Sequence, residues 1–382
     1  MTWREWAEAE AREIHTAGRW REPRDLDAAG PEGKLAPDGR PVVSFASNDY
    51  LGLTQHPDVV AAAHAALDRW GAGSGSARLI VGSRPVHSEL EAALADWKHA
   101  ARSVLFPTGF ATNLGVITTF GGPGTLVISD EYNHASIIDG CRLSRAEVQI
   151  ANHADVRDID ARLRASTAAR TIVVTDTVFS MDGDVAPIAE IIDVCKRHGS
   201  LLVVDEAHAV LGPDPAFRGV DALRIGTLSK TLGALGGFVA GPTALCELIV
   251  NRARSYIFTT ASTPADAAAA LAALEIVRGP EGDELRARLR AHVERLAPGH
   301  PSPIVPVVFG DERTTLAAAA ALLDEGMLVP AIRPPTVAPG TSRLRVVLSA
   351  AHSGEQVESL ARAVARLVQQ PPPAPGHAER AQ

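Results

Sequence analysis

Seven short apolar runs alternate with helical stretches through the middle of the chain: Val104–Phe106, Leu126–Ser129, Val148–Ile150, Thr171–Thr175, Leu201–Asp205, Leu223–Gly226 and Phe238–Ala240. Runs of this length read as strands, and strands that are largely apolar throughout are buried on both faces. A chain of this kind folds as α/β, with a mostly parallel central sheet covered by helices. Ligands of such sheets gather at the carboxyl ends of the strands. Five segments fall there: Pro107–Phe110, Asp130–His134, Thr177–Asp182, Asp205–His208 and Thr227–Lys230. They are expected to converge on one edge.

On either side the pattern changes. Residues 2–17 read as a helix rich in Glu, Arg and Ala, and 18–41, crowded with Gly, Pro and Asp, as an irregular arm. Val42–Ala46 reads as a short strand. Pro57 opens a helix over 57–70 with Val60, Ala63, Leu67 and Trp70 on one face, and Gly71 stops it. A Gly- and Ser-rich loop over 71–84 leads to a helix near 87–100 carrying Leu90, Ala93, Leu94 and Trp97. Beyond 240, helices are expected over 242–253 and 263–295. Strand-like Ile304–Phe309, Met327–Ile332 and Leu344–Leu348 follow, with helices near 313–325 and 354–369. The expected division is an N-terminal helix and arm (1–47), a large α/β domain (48–262), a smaller α+β domain (263–370) and a disordered tail (371–382).

Composition removes several classes of function. With 46% hydrophobic and 21% charged residues, the 382-residue chain can bury a sizeable core. A net charge of −8 without a Lys/Arg run argues against nucleic acid and anionic membranes as partners. Cys141, Cys195 and Cys246 are odd in number and scattered, which favours a reducing cytoplasm and argues against a structural zinc site. No apolar stretch is long enough to span a bilayer, because the Ala-rich run Ala265–Ala273 is short and contains Asp266. The expected place of work is the cytoplasm.

Within Leu201–Phe238 one apolar run ends at Asp205, with His208 close behind, and a second ends at Thr227-Leu228-Ser229-Lys230. A lysine amine can form a Schiff base with an aldehyde cofactor, and a carboxylate can pair with a protonated pyridine nitrogen. The pair reads as a site for pyridoxal 5'-phosphate. Taken singly, each residue also reads as a buried acid or a solvated lysine. Asp205-Glu206-Ala207-His208 also spells the acidic box of some helicases, but the phosphate loop such enzymes need is absent from this sequence. Small residues around Lys230 would let a ligand approach the backbone. Gly109 and Phe110 open a helix, where amides and the helix dipole can hold a phosphate, and the Thr227 hydroxyl can join them. His134 can lie on a planar ring or cap a helix. Ser180 and His208 can bond a phenolic oxygen or a substrate carbonyl. Glu206 points away from Asp205 in an extended segment and reads as structural. Arg343 and Arg345 share a strand face, and spacing does not choose which of them takes a carboxylate.

Together the stretches Ser47–Leu53, Pro107–Asn113, Asp130–Ser136, Val178–Asp184, Val203–His208, Gly226–Lys230 and Arg345–His352 resemble the α-oxoamine synthases, a family of pyridoxal-phosphate enzymes. The match runs in order over roughly 42–352. It implies a fold-type-I homodimer with active sites at the subunit interface. It implies Lys230 as the Schiff-base lysine, Asp205 as partner of the ring nitrogen and His134 as the stacking residue. Ser180 and His208 would meet the cofactor's oxygen side, and Gly109, Phe110 and Thr227 the cofactor and its phosphate. Asn48 and Arg345 would bind the amino-acid carboxylate, Thr336 the acyl substrate, and Arg19 would match an acyl-binding arginine. The segment Ile332–Val337 resembles the branch that condenses L-alanine with a pimeloyl thioester. The connection after His208, through 213–219, is shorter than in many members.

Overall fold

The computed structural model describes residues 1–371; the expected tail lies, from residue 372 on, outside the described residues. The chain opens with a helix, Trp3–Thr16, and three antiparallel strands, β1 (Leu26–Ala28), β2 (Glu32–Leu35) and β3 (Arg40–Ser44). The reading of 18–41 as irregular is therefore corrected. Gly30 and Gly39 take positive φ at the two chain reversals, so the Gly/Pro/Asp crowding marks hairpin turns.

The central strands are β4 (Arg102–Phe106), β5 (Thr125–Asp130), β6 (Glu147–Ala151), β7 (Arg170–Asp176), β8 (Leu201–Asp205), β9 (Ala222–Thr227) and β10 (Gly237–Gly241). They lie in the order β4-β10-β9-β8-β7-β5-β6, with only β10 antiparallel to its neighbours. Side chains alternate across this sheet as strand geometry requires. Leu202 and Val204 pack with Ile159, Leu163, Ile191 and Ile192, whereas Val203 packs with Val116, Ile117 and Ile137. Carried one step further, the alternation sends Asp205 to the face of the helix Gly109–Phe120 and Glu206 to the other. Ile172 and Val174 of β7, and Leu223 and Ile225 of β9, also pack on that first face. The strand-end residues Asp176 and Thr227 therefore share it with Asp205.

A third sheet joins β11 (Ile304–Gly310), β13 (Ala331–Ile332) and β14 (Ser342–Val347), while β12 (Met327–Leu328) pairs with β3 in the first. Met327–Ile332, expected as one strand, is split at Val329-Pro330. Its first half runs parallel to β3, and its second half is antiparallel to β14. Proline has no amide proton for a ladder, and at the crossing its carbonyl accepts the amide of Arg345 instead (3.0 Å). The expected helix over 263–295 is likewise two, Pro264–Arg278 and Pro280–Leu296, interrupted at Gly279. The loop over 71–84 contains a π-helical turn, Arg78–Gly82. Among the described residues no helix is long and apolar enough to cross a membrane, and Cys141, Cys195 and Cys246 are buried and free.

Candidate active site

The face predicted by strand alternation carries a cavity of about 240 Å³. Gly109, Phe110, His134, Asp205, His208, Thr227 and Lys230 all line it, together with Asn113, Ser136, Asp176 and Ser229. A larger cavity of about 600 Å³ lies beside it, lined by Glu206, Lys98, Arg224 and Arg278. Three of its cations are paired, Lys98 and Arg224 with Glu206 and Arg278 with Asp96, whereas the smaller one holds the residues expected from the sequence.

Lys230 sits in a tight excursion between β9 and β10. The Leu228 amide donates to Gly236 (3.0 Å), and the Gly233 amide donates to the Lys230 carbonyl (3.1 Å). Gly233 has φ +60°, and a Cβ there would lie 2.6 Å from the Thr54 nitrogen, so both conformation and space demand glycine. The Lys230 Nζ is 3.0 Å from His208 Nε2. Burial lowers the lysine's pKa; Asp205 and Asp176 pull it back up, and Arg345 adds to the lowering.

Asp205 is held by two donors, Asn113 Nδ2 (2.7 Å) and the Ala207 amide (2.9 Å). Beside it on the next strand, in register, stands Asp176, whose pKa burial and the Asp205 charge raise well above the usual carboxylate range. Asp176 accepts the His134 amide (2.8 Å). His134 caps the helix Ala135–Ser144, its Nδ1 lying 2.8 Å from the Ser136 hydroxyl. It also lines the cavity. Burial lowers its pKa. His208 is displaced further, well below its ordinary value, by burial and then by Lys230, Arg345 and His134.

Across the cavity stands the N-terminus of the helix Gly109–Phe120. The Thr108 hydroxyl accepts the Ala111 amide (3.0 Å), and the Gly109 and Phe110 amides precede it at the cavity wall. A Cβ on Gly109 would lie 3.3 Å from the Thr227 side chain, closing the gap between helix and hydroxyl. Thr227 and Ser229 hydroxyls are 2.7 Å apart there. Amides, two hydroxyls and a helix dipole form an anion cradle. The Asn113 Oδ1 is buried without a hydrogen-bond partner on the same side. An anion cradle, a buried carboxylate and an amine around one small cavity fit pyridoxal phosphate.

Arg345 and Arg343 make different contacts. The Arg345 Nε donates to the Ser180 carbonyl (2.5 Å) and a terminal nitrogen to Asn48 Oδ1 (3.2 Å), whereas Arg343 pairs with Asp182. Ser180 thus enters through its backbone, and its side chain does not line the cavity. Arg19 and Thr336 are not brought to Lys230. Arg19 bonds Glu312 (2.8 Å), and the preceding Gly18 carbonyl accepts from Arg333, close to the exposed Thr336. These two expectations meet each other at a separate edge. Glu206 is structural, buried between Lys98 and Arg224. The sequence reading passed over Tyr50, Asn113, Ser136, Asp176 and Ser229. All stand inside or beside the quoted motifs, and period two already places Asp176 on the Asp205 face.

Beyond the cavity, His153 bridges Asp130 (2.9 Å) and Asp184 (2.7 Å) and stacks on Tyr132. Burial pulls its pKa down, but hydrogen bonds and charge from both carboxylates outweigh that and lift it to about 10. A folded pKa above the unfolded value of about 6.5 means that the clamp's contribution is whole below that pH. It fades as pH rises through about 10. His153→Ala is expected to lower the melting temperature by a few degrees at pH 6, and the gap to close by the time the imidazole is neutral. Parallel melts of both proteins across pH check it; a gap constant with pH contradicts it.

Residues 40–364 match the aminotransferase class I and II family, and the chain belongs to it. Within that family the chain is 49% identical to the 8-amino-7-oxononanoate synthase of Anaeromyxobacter dehalogenans, over 92% of this chain and 93% of that protein. It is 45% identical to the enzyme of the same name from Burkholderia cenocepacia, over 89% and 95%. Among solved structures, serine palmitoyltransferase from S. paucimobilis superposes with a TM-score of 0.87 at 31% identity, covering 95% of this chain and 97% of that one. The fold-type-I architecture is thereby established.

Proposed function

We propose that this chain condenses L-alanine with a pimeloyl thioester, carried on CoA or a carrier protein, to give 8-amino-7-oxononanoate, carbon dioxide and the free thiol, a step of biotin synthesis. The observation that carries the reading is the convergence of Lys230, His208 and Asp205 on one cavity walled by a helix N-terminus. The names of its relatives supply the product, 8-amino-7-oxononanoate.

Lys230 would hold the aldehyde of pyridoxal phosphate, Asp205 the ring nitrogen and His134 the ring face. Gly109, Phe110, Thr227 and Ser229 would hold the phosphate and His208 the oxygen side, with Ser180 acting through the carbonyl that holds Arg345. When bound, this cofactor supplies an electron sink for the α-carbon of the amino acid. Arg345, fixed by Ser180 and Asn48, offers its guanidinium to the alanine carboxylate. The Lys230 amine, its pKa lowered by burial, takes the α-proton as general base. His208, kept neutral by burial, donates a hydrogen bond to the thioester carbonyl.

The protein works as a cytoplasmic homodimer with sites at the interface. Exposed Leu79, Ile80, Val81 and Phe258 provide apolar surface for a second copy. Arg19 and Thr336, apart from Lys230 in one chain, would serve the partner's cavity.

The test is turnover of purified protein with L-alanine and pimeloyl-CoA, scored as the amino-ketone by mass spectrometry. Glycine and L-serine, and palmitoyl-CoA, run alongside. Product from alanine and the pimeloyl donor is expected to exceed the rest by at least tenfold; preference for another pair moves the chain to a different branch of the α-oxoamine synthases.

A further inference from the structure

We propose that Tyr50 is a positioning residue that locks the His208 imidazole in the tautomer with its proton on Nε2, so that His208 presents an N–H, not a lone pair, toward the Lys230 amine and the cavity. The proposal rests on the reading of Lys230 and His208 given above. It starts from a chain of contacts that none of the sequence motifs announced. Tyr50 is fully buried, its oxygen 2.5 Å from His208 Nδ1 and 3.3 Å from Asn48 Oδ1. The other imidazole nitrogen, Nε2, is 3.0 Å from Lys230 Nζ.

A proton on one end of this chain decides where the others sit. Burial raises the phenol's pKa, so Tyr50 keeps its O–H. Two acceptors compete for that hydrogen. Asn48 Oδ1 is the more distant and already accepts from Arg345. The O–H therefore donates to Nδ1, and a neutral imidazole with Nδ1 as acceptor carries its proton on Nε2. Burial, the largest cause, holds His208 neutral, and the nearby Arg345 cation adds to it.

The consequence reaches Lys230. A protonated amine needs an acceptor at 3.0 Å, whereas a neutral amine accepts the Nε2–H. With the proton fixed on Nε2, His208 opposes protonation of Lys230, against the pull of Asp205 and Asp176. The backbone holds Tyr50 for this task. Its carbonyl accepts the Ala350 amide (2.8 Å), and the Ser349 hydroxyl donates to the neighbouring Asp49 carbonyl (2.6 Å).

The experiment uses the cofactor-free protein, so its outcome is independent of which substrates are turned over. Histidine labelled with ¹⁵N, assigned by comparison with His208→Gln, is expected to show a protonated Nε2 and a bare Nδ1 for His208 in the wild type. In Tyr50→Phe the imidazole is released to turn its lone pair to the lysine. The pKa of Lys230, read from the pH dependence of its reductive methylation in the digested peptide, then rises by about one unit, tenfold in proton affinity. A wild-type His208 protonated on Nδ1 overturns the proposal without recourse to any variant. So does a folded Tyr50→Phe protein whose tautomer and lysine pKa are both unchanged. Failure of the alanine condensation with the tautomer as predicted would overturn the assigned reaction and leave Tyr50 in its role.

Discussion

Lys230→Ala abolishes turnover while leaving the fold intact. The amine is the one nucleophile in the cavity able to hold an aldehyde, and it is the base proposed for the α-proton. Loss of a general base alone costs about 10²–10⁴-fold, and removal of the covalent anchor adds to it, so a drop on the order of 10⁴ or more is expected. The turn around it survives truncation, because its hydrogen bonds run through the backbone of Leu228, Gly233 and Gly236. Absorbance of the lysine-bound chromophore disappears in the variant, and circular dichroism stays that of the parent. Wild-type turnover by Lys230→Ala would remove the lysine from its role.

Asp205→Asn is expected to retain the cofactor and lose roughly 10²–10³ in kcat, the scale on which a single preorganised electrostatic partner acts. The substitution keeps the side chain's size, and one oxygen remains for the Ala207 amide or for Asn113. What it removes is the negative charge offered to the ring nitrogen. The neighbouring Asp176 does not replace it: burial favours its neutral form and its oxygen is taken by the His134 amide. Steady-state kinetics with alanine, beside a spectrophotometric titration of bound cofactor, separate loss of chemistry from loss of binding. An unchanged kcat would place the charge elsewhere.

The central sheet was legible because most of its strands are largely apolar, and Asp205 and Lys230 because each breaks an apolar run at its end. His134, Gly109 and Thr227 followed from the same rule. What escaped was whatever depends on register between distant segments. Asp176 faces Asp205 only because β7 and β8 align them, and Tyr50 meets His208 only because Asp49 and Tyr50 are tied to Ser349 and Ala350. Arg343 and Arg345 were indistinguishable by period two, since what separates them is their partners Asp182 and Asn48, far away in sequence. The arm was misread for a local reason: turn residues dominate its composition and mask two short strands, Leu26–Ala28 and Glu32–Leu35. Met327–Ile332 was misread because an apolar run does not say that its two halves pair with different sheets.

That split ribbon has a mechanical meaning. Its first half belongs to the sheet of the N-terminal arm, and its second half is laced to the strand bearing Arg345. Pro330, at the crossing, carries the carbonyl that grips the Arg345 amide. The sheet of the arm and the strand bearing the guanidinium are thus stitched together by six consecutive residues of backbone, so neither can be repacked without disturbing the other's hydrogen bonds.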